Sequence, residues 1–186
     1  MILLVDLSWK PCSLSRDEFV GPVARIVSLV GQEWREAHFS KIPGEDLRDA
    51  RGIILCGTAL KDNLFAENLQ EFSWLKDTRV PVLGICAGMQ ALCLAHGGTL
   101  RQEYEIGMTT VRVTQPDSLL PDRPAFEVYE LHSFASDFPP GWMVTAVSDR
   151  CVQAVHHPDR PFYGVMFHPE VRNDPVVERF CELCRE

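Results

Sequence analysis

Val80-Pro-Val-Leu-Gly-Ile-Cys-Ala-Gly-Met-Gln90-Ala-Leu-Cys-Leu-Ala-His96-Gly-Gly98 decides how this chain is read. Val80 to Ile85 is an apolar run of strand length, which predicts a buried strand. A helix is expected from about Ala87 to His96, with Gly97-Gly98 as its stop. Between the two lies Gly84-Ile85-Cys86-Ala87-Gly88, a G-x-nucleophile-x-G pattern at a strand-to-helix turn. Such a turn lifts one side chain above the sheet edge and places a helix N-terminus behind it, where positive charge favours a thiolate. The flanking glycines are needed because side chains there would meet neighbouring backbone. A structural cysteine in a glycine-rich turn would show the same letters, so chemistry requires a base elsewhere in the chain.

Working outward, apolar runs alternate with amphipathic stretches, the signature of βαβ units. Ile2 to Leu7 reads as a buried strand. Val23, Ile26, Val27 and Val30 follow at helical spacing, and Gly31 stops that helix. Its start is not set by the pattern, because Pro22 belongs in a first turn. Glu33 to Phe39 and Gly52 to Cys56 read as strands, and Leu69, Phe72 and Leu75 as one helix face. Beyond Thr99 come short β-rich runs: Thr109–Thr114, Ala125–Leu131, Met143–Val147, Cys151–His156 and Phe162–Phe167. Asp174-Pro175 reads as an N-cap and first helical residue, with Val177, Phe180 and Cys184 on the buried face of a last helix. These elements predict one α/β domain over residues 1–186. It is a three-layer sandwich with a mostly parallel central sheet flanked by helices, and additional β structure in its C-terminal half.

The 186 residues are 46% hydrophobic and 24% charged, which excludes a disordered chain. With 18 basic against 26 acidic residues the net charge is −8, which disfavours nucleic-acid backbones and anionic lipid. The N-terminal Met1–Asp6 lacks the basic region of a signal peptide, and no apolar run has the length of a membrane span. Seven irregularly spaced cysteines suit a reducing cytoplasm better than a disulfide framework. Cys181-Glu-Leu-Cys184 has metal-like spacing but no second pair, so it reads as a helix face. His156-His157 reads as a strand end beside Pro158, and the four tryptophans as core or interface anchors. Neither phosphate-binding glycine motif is present. No metal and no cofactor is predicted.

A base does stand elsewhere. Phe167-His168-Pro169-Glu170 closes the apolar run Tyr163-Gly-Val-Met-Phe167. In extended backbone, residues two apart point the same way, and Pro169 biases His168 toward that geometry. Glu170 can then fix the His168 tautomer and stabilise its imidazolium. A lone His-Pro-Glu is ordinarily a surface loop. In one chain with the cysteine elbow it completes a nucleophile, a base and an orienting acid.

Gly84-Ile-Cys86-Ala-Gly88-Met-Gln90 together with Gly164-Val-Met-Phe-His168-Pro-Glu170 resembles the class I, or triad, glutamine amidotransferases. The resemblance runs in order through Ile54-Leu-Cys-Gly57, Glu105-Ile-Gly107, His132-Ser133, Val152-Gln-Ala-Val155 and His157. It implies that Cys86 attacks the glutamine side-chain amide to form a γ-glutamyl thioester, with His168 as acid and base and Glu170 orienting it. It implies an oxyanion hole from the backbone N–H groups of Thr58 and Ala87. Gln90 would hold the substrate amide, and the backbone at His132 and Ser133 would contact substrate.

The chain departs from the family at Gly57-Thr58-Ala59, where Gly-Gly-Pro is usual. Threonine resists the torsions that glycine permits, so a partner or substrate is expected to set that oxyanion donor. Met89 and Met166 stand where histidine and glutamine are common. Since the chain carries no acceptor-activating half, the resemblance implies a separate synthetase partner, as in split GMP synthetase, anthranilate or aminodeoxychorismate synthase, with a lean toward the first. Two other readings stay open. One is a stand-alone γ-glutamyl hydrolase with the same triad, the other a catalytically idle binding or regulatory module.

Overall fold

A computed structural model describes residues 1–44 and 47–185. In chain order its elements are β1 (Ile2–Asp6), α1 (Leu14–Leu29), β2 (Trp34–His38), a 3-10 turn (Phe39–Gly44), β3 (Gly52–Leu55), α2 (Leu64–Glu67), a 3-10 helix (Leu69–Lys76), β4 (Val82–Ile85) and α3 (Ala87–Ala95). There follow β5 (Thr99–Val113), β6 (Ala125–Asp137), β7 (Met143–Val147), β8 (Val152–His156), β9 (Phe162–Val165) and α4 (Pro175–Leu183).

All nine strands join one sheet in the order β2-β1-β3-β4-β9-β8-β7-β5-β6. The pairings from β2 to β9 are parallel, and those from β9 to β6 are antiparallel. The expected mostly parallel sheet is therefore an evenly mixed one. The late β structure extends the same sheet through antiparallel pairings.

Alternation along the strands builds the three layers. Ile2 and Leu4 point to one face and pack with Val20, Val23 and Val27 of α1 and Val177 and Phe180 of α4. Leu3 and Val5 point to the other, against Phe65, Phe72, Leu75, Ala91 and Leu92. Both faces of the parallel half are thus covered by helices, as its continuous apolar strands require.

Helix α1 begins at Leu14, a full two turns before Pro22, which lies inside it. The carbonyl that Pro22 leaves without a helical partner belongs to exposed Glu18, and the buried stripe from Phe19 to Val27 offsets the loss. Gly31 ends α1 in the left-handed conformation (φ 74°), with Gln32 N–H reaching back to the Val27 carbonyl. Asp174 makes no side-chain cap on α4, although Pro175 does open it. β5 starts ten residues before the expected Thr109. Its outer half is mostly polar and half-exposed, so its sequence lacks the apolar run of a core strand.

Candidate functional site

Cys86 lies between β4 and α3 with φ 50° and ψ −107°, a strained geometry for a residue with a side chain. Packing imposes it. A Cβ on Gly84 would come 2.6 Å from the Gly88 carbonyl carbon, and one on Gly88 would come 2.0 Å from the Leu55 carbonyl oxygen. Cys86 N–H donates to the Val165 carbonyl at 2.8 Å, which ties the elbow to β9. The Cys86 thiol is buried, and its Sγ donates to the Leu131 carbonyl at 3.6 Å. Cys56 and Cys93, the other candidates by position, are buried core thiols. Desolvation raises both, Cys93 to about 12, so neither suits a nucleophile.

His168 follows β9, the strand beside β4, and its N–H donates to the Tyr129 carbonyl at 2.9 Å. Its Nδ1 lies 2.7 Å from Glu170 Oε1, but the two meet across a turn, with the Val171 and Arg172 N–H groups donating to the His168 carbonyl at 3.2 and 3.3 Å, and not along the extended backbone that the sequence predicts. Nε2 is buried and has no hydrogen-bond partner in this resting geometry. Burial works against an imidazolium here, but the Cys86 thiolate and the Glu170 carboxylate outweigh it and hold His168 well above its usual range. Gly57 packs against the ring: a Cβ there would sit 2.8 Å from His168 Cε1. This is a reason for glycine at position 57 that the sequence does not reveal.

Thr58, Ala87, Gln90, His132 and Ser133 all line one small cavity with Cys86 and Leu131. Gln90 is buried, and its Nε2 donates to the Phe134 carbonyl at 2.9 Å, so its amide is oriented by β6. Ala87 opens α3, where the N–H has no helical acceptor. Thr58 does not adopt a positive φ; among the described non-glycine residues only Cys12, Cys86 and Asn173 do. Its hydroxyl instead donates to Asp62 Oδ2 at 3.0 Å, which also accepts the Trp9 N–H at 2.5 Å. Ser133 Oγ donates to the Leu60 carbonyl at 3.3 Å. These bonds close the Gly57–Asn63 loop over Cys86. The remaining cavity is about 20 Å³, room for one water and far too little for a glutamine side chain. A larger cleft of about 440 Å³ lies on the outer side of this loop, beside Trp9, Lys61 and Glu67. Sequence reasoning missed Trp9 as a clasp partner and Asp62 altogether, because the two are distant along the chain.

The His132 ring points away from this cavity. Its Nδ1 lies 3.2 Å from the Glu103 carbonyl, and its Nε2 enters a second buried cluster with Glu105, Glu130 and Cys151. Burial and the neighbouring Glu105 push the Glu130 carboxyl up to about 9. Met89 and Met166 are fully buried and pack with Val155, so Met89 belongs to the core, while the Met166 thioether contacts Gln90. Cys181 and Cys184 lie in the core beside α1, as a helix face.

An α/β sheet thus carries a cysteine at a strained strand-to-helix elbow, with a buried His-Glu pair just beyond the end of the adjacent strand. The glutamine amidotransferase class-I family model matches residues 30–183, and the chain belongs to that family. A glutamine-hydrolysing GMP synthase subunit of Methanocaldococcus jannaschii is 33% identical over 149 residues, covering 75% of this chain and 77% of that protein. The protein of the same description from Methanopyrus kandleri is 32% identical over 203 residues, covering 100% of both. A crystal structure from Thermoplasma acidophilum superposes with a TM-score of 0.87 at 24% identity, covering 99% of this chain and 93% of that one. No helix among the described residues is long and apolar enough to cross a membrane.

Proposed function

We propose that residues 1–186 form one glutaminase domain that hydrolyses the side-chain amide of glutamine and delivers the ammonia to a separate synthetase. The observation that carries this reading is the strained Cys86 elbow standing beside the buried His168–Glu170 pair. Full-length similarity to a glutamine-hydrolysing subunit of GMP synthase supports a GMP-synthetase-like partner. Seven free thiols suit a reducing cytoplasm.

In the first half-reaction the Cys86 thiolate, whose proton rests on His168 Nε2, adds to the amide carbon. The tetrahedral oxyanion is met by the Ala87 N–H at the start of α3 and by the Thr58 N–H, each worth a few kcal/mol. His168 then returns its proton to the departing nitrogen, which leaves as ammonia, and a γ-glutamyl thioester remains. In the second half-reaction His168 removes a proton from water as it attacks the thioester. Sulfur leaves as the thiolate while that proton rests on His168, and glutamate is released. Glu170 holds the Nδ1 proton throughout and offsets the imidazolium charge. Gln90, fixed to Phe134, and the backbone at His132 and Ser133 hold the substrate. The closed cavity supports a resting state that opens on contact with the synthetase or substrate.

The test is to incubate the chain with glutamine and with γ-glutamyl amines while following glutamate and released amine. Preference for glutamine supports the amidotransferase reading, and preference for the conjugates supports a γ-glutamyl hydrolase. A diazo-ketone analogue of glutamine should label Cys86 alone. An adduct on Cys56 or Cys93 with Cys86 free overturns the assignment.

A further inference from the structure

We propose that Glu105, His132 and Cys151 form a buried three-ligand site for Zn²⁺, separate from Cys86, His168 and Glu170. The three side chains come from β5, from β6 and from the turn before β8, and none is more than 7% exposed. The Cys151 Sγ to Glu105 Oε2 distance is 3.1 Å, His132 Nε2 to Glu105 Oε2 is 3.4 Å, and Cys151 Sγ to His132 Nε2 is 4.0 Å. Bond lengths of about 2.3 Å to sulfur and 2.0–2.1 Å to nitrogen or oxygen give a tetrahedron with edges of about 3.3–3.6 Å. The metal-free arrangement is within about half an ångström of that figure on every measured edge.

Hydrogen bonding points the same way. The Glu103 carbonyl can only accept, so the His132 Nδ1 facing it carries the ring's proton. In the neutral ring Nε2 is then a lone pair, and it faces Glu105 Oε2 and Cys151 Sγ. An imidazole nitrogen held through its other N–H by a backbone carbonyl is the usual arrangement of a metal-bound histidine. Ser148 Oγ and Gln153 Nε2 each donate to Glu105 Oε2 at 3.0 Å, which orients that ligand. One thiolate, one imidazole and one carboxylate select Zn²⁺ over Mg²⁺ or Ca²⁺, which take oxygen alone. On binding, the Cys151 thiol gives its proton to solvent and its sulfur bonds the metal.

The site is structural. It pins β5 and β8 to the stretch of β6 whose Tyr129 and Leu131 carbonyls hold His168 and Cys86. No short spacing marks it, since Glu105, His132 and Cys151 are far apart along the chain.

The experiment is to refold the full chain with Zn²⁺ or Co²⁺, remove loose metal and measure what remains. A single Zn²⁺ per chain is expected, and the Co²⁺ form should show a thiolate charge-transfer band. That band should vanish in Cys151→Ser and survive both in Cys86→Ala and in the Cys181→Ser/Cys184→Ser double variant. Folded protein that retains no metal overturns the proposal, as does a band that survives Cys151→Ser or is lost in either control. Should Cys151→Ser fail to fold, Glu105→Gln keeps every thiol. It should weaken Zn²⁺ at least about tenfold in competition with a chromophoric chelator, and unchanged affinity there also refutes the site.

Discussion

His168 Nδ1 and Glu170 Oε1 meet at 2.7 Å, and both side chains are 1% exposed. A carboxylate so buried is held by its partner, and the proposed mechanism makes the pair one unit with Cys86. His168→Ala should lower glutamine turnover on the order of 10³-fold or more, and Glu170→Gln by less, because the base remains. The double variant should lose little beyond His168→Ala. Near-normal kcat in His168→Ala would remove the histidine from the mechanism.

The raised pKa of His168 fixes the sign of a pH effect. Burial opposes the charged ring, but Cys86 and Glu170 lift it well above the ordinary 6.5. A group whose folded pKa is raised stabilises the fold fully below its unfolded value and loses that contribution as pH rises through the folded value. Denaturation midpoints should therefore fall on the alkaline side of neutrality. In Cys86→Ala, which removes the larger of the two raising charges, the decline should start at lower pH. NMR titration of His168 reads this directly; an imidazole that titrates at or below 6.5 in the unmodified chain contradicts it.

Gly57→Ala should separate stability from activity. The new methyl would press on His168 Cε1 at 2.8 Å. Overpacking of this kind costs about 1–3 kcal/mol, which a urea melt will show. The larger effect should fall on kcat, because a displaced imidazole loses its alignment with Cys86. A loss confined to KM would place Gly57 in binding instead.

Asp62 holds the loop shut through Thr58 Oγ1 and the Trp9 N–H. Hydrogen bonds to a charged group are worth about 1.5–3 kcal/mol, so Asp62→Ala should raise partner-free glutamine hydrolysis by about tenfold or more. Thr58→Gly should act in the same direction by releasing one of the two bonds. If both variants are folded and no faster than the parent chain, this clasp does not limit access to Cys86.

Local patterns are legible in the sequence. The elbow is a strand, a helix and two glycines within a few residues, and the His168–Glu170 pair is legible as near neighbours, although a turn at Pro169-Glu170 and not extended backbone brings them together. Gly31 and Gly97 take the left-handed conformation that ends a helix. Pro22 misleads a local reading because tertiary burial of α1 overrides its penalty. The outer half of β5 escapes one because Tyr104, Ile106 and Met108, its large apolar side chains there, are exposed, so burial leaves no pattern. Long-range contacts have no signature at all. The reach of Trp9 to Asp62, the packing of Gly57 on His168 and the gathering of Glu105, Glu130, His132 and Cys151 depend on which strands become neighbours. Thr58 stands out in the sequence as unusual, but its hydroxyl bond to Asp62 requires the fold.

The in-register pairing of β4 with β9, with Ile85 opposite Val165, makes the spacing between two strands the gauge that separates nucleophile from base. That spacing is about 4.8 Å in any sheet and owes nothing to the chain that connects the strands. The long excursion from α3 through β8 can thus lengthen at its turns, such as Pro139-Pro140-Gly141 or Asp149-Arg150, without altering the gauge. The fold is in this sense modular by geometry. Extra segments can be spliced into those turns, while the distance between Cys86 and His168 stays set by the backbone ladder.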